Sequence, residues 1–413
     1  MFAPEHSLDD QSRIADDPAM KPRALLISSI VIATLALSGA ARADFASCLA
    51  SIRGEATRQG VSGATFDQAV AGLQPDMKIL DLQNQQPEFK TPIWDYLAGL
   101  VDQERIDDGK ARLGQYAHAF ETAEQRFGVS RYIIAAVWGV ETDYGRQMGA
   151  RPLVQSLATL ACFGERASYF RGELISTLKI IANGDIPADR LVGSWAGAFG
   201  QTQFMPSTFL RLAVDLDGDG KRDIVDSVPD ALGSTANYLH RSGWRTGVGW
   251  GFEVKLPHGY SGPSGRKNKA PMSSWAARGV TRADGGPLGE GEAGLLLPAG
   301  PQGPAFLVTS NFDAIFAYNA AESYALAIAH LADRLAGGGP FVTPWPTDDP
   351  GLSRAERREL QELLTKKGYD VGQPDGAIGN KTREAIADYQ RKLGRAADGR
   401  ASGKVLAALR QGL

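Results

Sequence analysis

The chain has 413 residues, 43% hydrophobic and 22% charged, with 44 Lys+Arg against 47 Asp+Glu and a formal net charge of -3. That composition belongs to a folded protein with enough chain for a main domain and a smaller module. The near-neutral balance excludes a phosphate-tracking surface, and with it nucleic acid as a partner. Two cysteines and five scattered histidines offer no four-ligand zinc spacing.

At the start of the chain, Lys21 and Arg23 precede an apolar run from Ala24 to Leu37, and the small residues Ala41-Arg42-Ala43 follow. This pattern predicts a signal peptide over residues 1–43, cleaved after Ala43, and hence a periplasmic protein. A membrane-spanning helix is the alternative, but the run falls short of the roughly 20 residues a bilayer needs, so no stable span is expected in the mature protein. Residues 1–19 are polar and acidic, which no signal requires, and Met20 is an alternative start. Cys48 lies too far past the apolar run for lipid attachment. In an oxidising compartment Cys48 and Cys162 have two open outcomes, a disulfide closing a long loop or two buried thiols.

From Phe45 to about Leu232 helical spacing dominates, punctuated by Gly and Asn. Within it, Ser130 to Gly145 reads as one helix with Ser130 as N-cap and Gly145 as its stop. Ile134, Val137, Trp138 and Glu141 fall on one stripe, so a carboxylate is set on the apolar face in the last turn. Burial and the negative helix end both oppose its ionisation, which suits a general acid at a glycosidic oxygen. A core glutamate paired with Arg146 or Arg166 is the plainer reading of the same stripe.

The run from Ser194 to Pro206, SWAGAFGQTQFMP, mixes aromatic, hydroxyl and amide side chains with Gly197 and Gly200. It reads either as a ligand groove approached closely by backbone or as tight packing around the glycines. Next, Asp215, Asp217, Asp219 and Gly220 match positions 1, 3, 5 and 6 of an EF-hand-like loop, with Lys221 at position 7 among the candidate ligands. Position 12 is Asp226 instead of the usual glutamate, so either Asp226 or Asp230 closes the loop. A structural Ca2+ is the expected cofactor; a solvated acidic turn is the alternative.

Between Gly243 and Phe312 Gly, Pro and Ser become frequent, and Phe252–Leu256 and Ala305–Val308 alternate like short strands, which predicts a small β-rich insertion. Helical pattern resumes from Ala320 to Leu335, and residues 337–351, with Gly337-Gly338-Gly339-Pro340, read as a linker. Residues 352–413 form a three-helix module, its first helix capped by Ser353 and Glu356 with Leu360, Leu363 and Leu364 on one side. Gly368 stops that helix. Ala385, Ile386, Tyr389 and Leu393 face inward from the second helix, and Val405, Leu406 and Leu409 from the third.

WGVETDYG around Glu141, SWAGAFGQTQFMPSTF from Ser194, DLDGDGKRDI from Asp215 and AYNAAESYALAIAHLADR from Ala317 occur in an order that resembles the lytic murein transglycosylase B family. The tail, LQELLTKKGYDVGQPDGAIGNKTREAIADYQRKLG, is similar to peptidoglycan-binding domain 1. The resemblance implies a mainly α (α+β) protein: a lysozyme-like catalytic domain over 44–336 with the β-rich insertion, followed by the linker and a C-terminal three-helix binding domain. It implies Glu141 as the one catalytic carboxylate, Ser194 and Gln203 lining the cleft, and Tyr318, Asn319 and Tyr324 near the catalytic centre. Arg166 matches a cleft arginine, though Glu165 stands where the pattern has a second one. On residues alone, Asn319 would be a helix N-cap with Glu322 at its third position.

A glycosidase of the usual kind uses two carboxylates, and Asp143 points to another side of the helix from Glu141. The resemblance implies that the substrate supplies the second group. By the same resemblance, Glu141 is expected to protonate the oxygen of the β-1,4 bond between N-acetylmuramic acid and N-acetylglucosamine, then to take the proton of the muramic 6-hydroxyl as a 1,6-anhydro end closes. The expected partners are peptidoglycan glycan strands, with cell-wall synthesis proteins as further candidates. A hydrolytic muramidase and a noncatalytic wall-binding scaffold are the competing readings.

Overall fold

The computed structural model describes residues 44–83 and 91–413. The signal segment, residues 1–43, lies outside the described residues. Helical residues 48–58 lead to α1 (Gly63–Val70), and Cys48 is bonded to Cys162 with a Cα–Cα distance of 5.9 Å. Of the two outcomes left open by the sequence, the disulfide is the one observed. It spans a sequence separation of 114, a long loop whose closure removes freedom from the unfolded chain.

The helical half continues through α2 (Ile93–Leu100), α3 (Gln103–Gln115), α4 (Ala117–Phe127) and α5 (Arg131–Thr142). A two-residue ladder then pairs β1 (Arg151–Pro152) with β2 (Val192–Gly193) around α6 (Leu153–Phe163) and α7 (Ala167–Asn183). The helices α8 (Pro206–Leu212) and α9 (Val228–Arg241) flank the acidic loop.

The β-rich insertion is an antiparallel sheet of five strands: β3 (Gly251–Lys255), β4 (Gly265–Pro271), β5 (Thr281–Arg282), β6 (Glu292–Leu296) and β7 (Ala305–Val308), in the order β4-β6-β7-β3-β5. Strands β3 and β7 coincide with the two apolar runs. The sequence gives little sign of β4, GRKNKAP, which has no apolar alternation and pairs with β6 through a register shift between Gly265 and Ala270. A short helix, α10 (Met272–Ala277), sets Trp275 into a satellite core with Val254, Leu295 and Leu307.

The chain returns to the helical body as α11 (Ser310–Asn319) and α12 (Glu322–Leu335). Every residue of α12 from Tyr324 to Ala332 is buried, which explains why that stretch carries no polar face. It packs against α5, α11, α2 and α3, with Val137, Trp138, Leu326 and Leu331 in one core.

The segment after α12 is pinned and does not dangle. The Glu253 carboxylate accepts hydrogen bonds from the backbone N–H of Val342 and of Thr343, both at 2.7 Å, and Phe341 stacks on His330 at 3.8 Å between ring centroids. The C-terminal module is α13 (Arg354–Lys366), α14 (Asn380–Lys392) and α15 (Gly403–Arg410), with the Ser353–Glu356 capping box formed. Leu360, Leu364, Ile386, Tyr389, Leu406 and Leu409 make its core. Gln361, 1% exposed, closes the turn after α13 by accepting from Gly376 N at 2.7 Å and donating to Ala377 O at 3.0 Å.

This module docks on the helical body through charge. Arg400 grips Asp95 of α2 with two hydrogen bonds of 2.6 and 2.8 Å, Arg358 pairs with Glu104 of α3, and Arg354 reaches Asp143 at 2.6 Å.

Candidate active site

The helix α5 begins as its sequence predicts, with Ser130 accepting from Tyr132 N. It ends at Thr142, ahead of the expected stop at Gly145. Asp143 and Tyr144 both adopt left-handed backbone (φ 52 and 58), and their N–H groups bond to Gly139 O and Trp138 O. Tyrosine rarely sits there. Here its ring packs edge-on against Trp138 at 5.6 Å and its hydroxyl donates to Arg105 O at 2.9 Å. Gly139 leaves the room: a Cβ there would lie 2.7 Å from the Tyr144 ring.

Ile134, Val137 and Trp138 are buried, and Glu141 sits half-buried at the rim of the same stripe. It is therefore neither a core glutamate nor fully enclosed. It lines a cavity of about 630 Å³ together with Asn319, Tyr324, Tyr96 and Val140. Tyr324 Oη donates to Glu141 Oε1. Burial, reinforced by the negative charge of Glu141, raises the Tyr324 and Tyr318 hydroxyls well above their ordinary range, so both keep their protons and can donate.

Behind Tyr324, the ring of Tyr318 stacks at 6.3 Å, and the Tyr318 hydroxyl donates to Thr202 O at 2.8 Å. That bond ties α11 to the Ser194–Pro206 run. A buried amide completes the tie to α5: Gln201 accepts from Trp138 Nε1 at 3.0 Å and donates to Val225 O at 3.0 Å, while Thr142 Oγ1 donates to Gln201 O at 2.5 Å.

The other expected residues divide. Asn319 lines the cavity but ends α11, and Ala320 takes the left-handed cap (φ 50); the N-cap of α12 is Ala321, which corrects the capping role read from the sequence. Ser194 and Gln203 lie in the turns beside the site and outside the lining of this cavity. The Ser194 hydroxyl accepts from Ala198 N, and the Gln203 amide donates to Met148 O and Gly200 O. The two glycines of that run serve packing: a Cβ on Gly197 would meet Leu157 and one on Gly200 would lie 2.7 Å from Ile224 O, while Phe199 and Phe204 are core. Arg166 also lies outside the cavity lining, its guanidinium over the Tyr169 ring at 4.3 Å.

Sequence reasoning missed Tyr96 and Asp95 on α2 and the three arginines of the C-terminal module, Arg357, Arg383 and Arg400, all of which line the cavity. No local motif marks the pair on α2, and the three arginines reach the site through docking of a separate module.

In the acidic loop, carboxylate oxygens of Asp215, Asp217, Asp219 and Asp230 lie within 4.8 Å of one another. Asp230 is fully buried in the first turn of α9, and burial pushes its carboxyl up to about 6. It also accepts from Leu216 N at 2.7 Å and Asp223 N at 2.8 Å, so it staples the loop. Asp226 is outside this group, exposed and ion-paired with Arg190, and Lys221 is held by its N–H donating to Asp219 at 2.8 Å. Four hard oxygen donors converging on one point fit a calcium-sized cation.

The chain matches the Transglycosylase SLT domain family over residues 44–333 and the peptidoglycan binding domain family over residues 353–409. It is 34% identical over 278 residues to the membrane-bound lytic murein transglycosylase B of Escherichia coli (strain K12), covering 64% of this chain and 74% of that protein. SltB3 of Pseudomonas aeruginosa, solved in complex with NAG-anhNAM-pentapeptide, superposes with TM-score 0.71 at 46% identity, covering 89% of this chain and 99% of that one. The Escherichia coli lytic transglycosylase Slt35, solved in complex with calcium, gives TM-score 0.63 at 31% identity over 70% of this chain and 92% of that one. With one family spanning well over half of its length and the binding-domain family following it, the chain belongs to the lytic murein transglycosylase B family.

Proposed function

We propose that Glu141 acts first as acid and then as base in lytic cleavage of the β-1,4 bond between N-acetylmuramic acid and N-acetylglucosamine. Glu141 gives its proton to the bridging oxygen as the bond to muramic C1 breaks. The muramic 6-hydroxyl then attacks C1 and returns its proton to Glu141, so a 1,6-anhydro end forms and no water is consumed. Tyr324, a donor to Glu141 Oε1, orients the carboxylate and stabilises its ionised state. The substrate's acetamido group stabilises charge at C1.

The observation that carries this reading is the state of the other carboxylates on the cavity wall. Asp95 is clamped by Arg400, and Asp398 accepts from Gln390 Nε2 at 2.7 Å and Arg400 N at 3.0 Å. Asp143 is drawn away into ion pairs with Arg354 and Arg146. Among the described residues that line the cavity, Glu141 has no second acid in a suitable position, as a substrate-assisted mechanism requires.

The arrangement that accompanies this function is a signal peptide over 1–43, a catalytic domain over 44–336, a linker over 337–351 and a wall-binding module over 352–413, in the periplasm. Among the described residues no helix is long and apolar enough to cross a membrane. Ser194, Gln203, Tyr318 and Asn319 are the substrate-cleft residues of this reading, and Asp215, Asp217, Asp219 and Asp230 would hold a structural calcium ion.

Mass spectrometry of the fragments released from purified peptidoglycan tests the chemistry. Products lighter by one water than reducing-end fragments are expected, and Glu141→Gln should release none. Reducing-end products would make water the nucleophile and the protein a muramidase.

A further inference from the structure

The cleft beside Glu141 has an electrostatic asymmetry. Among the described residues that line it, the catalytic domain contributes no Lys or Arg; every cation comes from the C-terminal module. Arg400 is spent on Asp95 and Asp349. Among the described residues, neither Arg357 nor Arg383 has a carboxylate within ion-pairing distance: the half-buried Arg357 has one long hydrogen bond, Nη2 to Asp95 O at 3.4 Å, and the exposed Arg383 side chain has no hydrogen-bond partner. Asp398, on the same wall, is occupied by Gln390 and the Arg400 backbone.

The helical body makes room for Arg357. A Cβ at Gly99 of α2 would lie 2.7 Å from its guanidinium carbon, so the smallest residue stands where the arginine enters. Burial lowers the Arg357 pKa from its ordinary value, with Asp102 and Asp95 offsetting part of that effect from a distance. A half-buried guanidinium left unmatched is costly unless an anion arrives to complete it, and a planar fork of donors suits a carboxylate.

We propose that Arg357 and Arg383 form a carboxylate subsite in the cleft wall, through which the C-terminal module reads an anionic group of the substrate being cleaved. The inference rests on the peptidoglycan-cleaving reading given above. It makes the module a specificity element of the active site in addition to a tether. Two sources carry the right chemistry: the carboxylates of a muramyl pentapeptide, or the free lactyl carboxylate of a peptide-free muramic residue. Arg166, the arginine implied by family resemblance, stacks on Tyr169 outside this cavity and leaves the role open to the module.

Calorimetric titration of the whole chain carrying Glu141→Gln, which binds without turnover, is the test. The probes are NAG-NAM-pentapeptide, the same compound with its carboxylates converted to carboxamides, and peptide-free NAG-NAM tested as the lactyl acid and as its amide. We expect amidation to weaken binding about tenfold for one of the two pairs, which identifies the source. Adding Arg383→Gln or Arg357→Gln should remove that amide penalty, and Arg357→Lys should restore part of it. Equal affinity for acid and amide in both pairs, or a penalty that survives both glutamine substitutions together, overturns the inference. Cleavage by the unsubstituted chain is measured separately, so loss of the subsite and loss of the transglycosylase reading give different patterns.

Discussion

Arg354 Nη1 lies 2.6 Å from Asp143 Oδ2, joining the first residue of α13 to the residue that caps the helix carrying Glu141. Asp143 and Asp102 are 5% and 2% exposed at their side chains, and Arg105 and Arg146 share the cluster. Several of its atoms, among them Asp143 Oδ1 and the Nε of Arg105 and of Arg354, are held by charge at 3.3–3.5 Å without a formed hydrogen bond. The binding module is thus coupled electrically to the end of the candidate catalytic helix.

Replacing Arg354 by alanine should therefore do more than loosen a tether. Removing one partner leaves buried carboxylates undercompensated, and a loss of about 2–4 kcal/mol is expected in denaturant unfolding. If Asp143 holds the left-handed cap, kcat on soluble glycan fragments should fall as well. The paired substitution Arg354→Met with Asp143→Asn should recover much of the stability, since the charge left behind is then gone. A single Arg354→Ala variant with unchanged stability would mean that the module docks without this contact.

Tyr324→Phe removes the donor to Glu141 while keeping the ring that stacks on Tyr318. A hydrogen bond to a charged group is worth about 1.5–3 kcal/mol, so kcat should fall about 10–100-fold with KM little changed. Rates on a soluble muropeptide check this. A wild-type kcat would remove Tyr324 from the orientation of Glu141.

His330 gives a pH dependence with a definite sign. It is 7% exposed under Phe341, and burial, with a smaller contribution from Arg334, lowers its pKa to about 3 from the usual 6.5. In the window between those values the unfolded chain binds the proton and the folded chain does not, so stability is full above 6.5 and is lost as pH falls. Going from pH 6.5 to pH 5 should cost about 2 kcal/mol through this group. His330→Phe should flatten that part of the curve in urea titrations; an unchanged slope would assign the acid sensitivity elsewhere.

Much of this architecture is legible in the sequence wherever the signal is local. Ser130, the 3.6-residue stripe ending in Glu141 and the Ser353–Glu356 box locate their helices because caps and periodicity act over a few residues. The failures are non-local. Asp143 and Tyr144 end α5 early only because Arg105 and Trp138 hold the tyrosine, and Ala320 takes a left-handed cap that no alanine advertises. Residues 337–351 read as a linker, and the contacts that Glu253 and His330, both outside it, make with Phe341, Val342 and Thr343 are not written in its own sequence. The cleft arginines Arg357 and Arg383 are invisible for the same reason, since nothing near them in the chain says which surface they will face.

The acidic loop yields the last prediction, which separates Asp230 from Asp226 as the closing residue. Asp230 is buried and its oxygens converge with those of Asp215, Asp217 and Asp219, whereas Asp226 is exposed and paired with Arg190. A cation bound only by the folded state raises stability by mass action, about 2.7 kcal/mol at a hundredfold excess over its dissociation constant. Thermal melting should thus show a higher midpoint with calcium than with chelator. Asp217→Asn should abolish that difference, since it removes a charge from the converging set, while Asp226→Asn should keep it. The opposite ranking would place Asp226 in the coordination sphere and require the loop to close differently when the ion binds, whereas a midpoint insensitive to calcium would leave the four aspartates as an acidic turn held by Asp230.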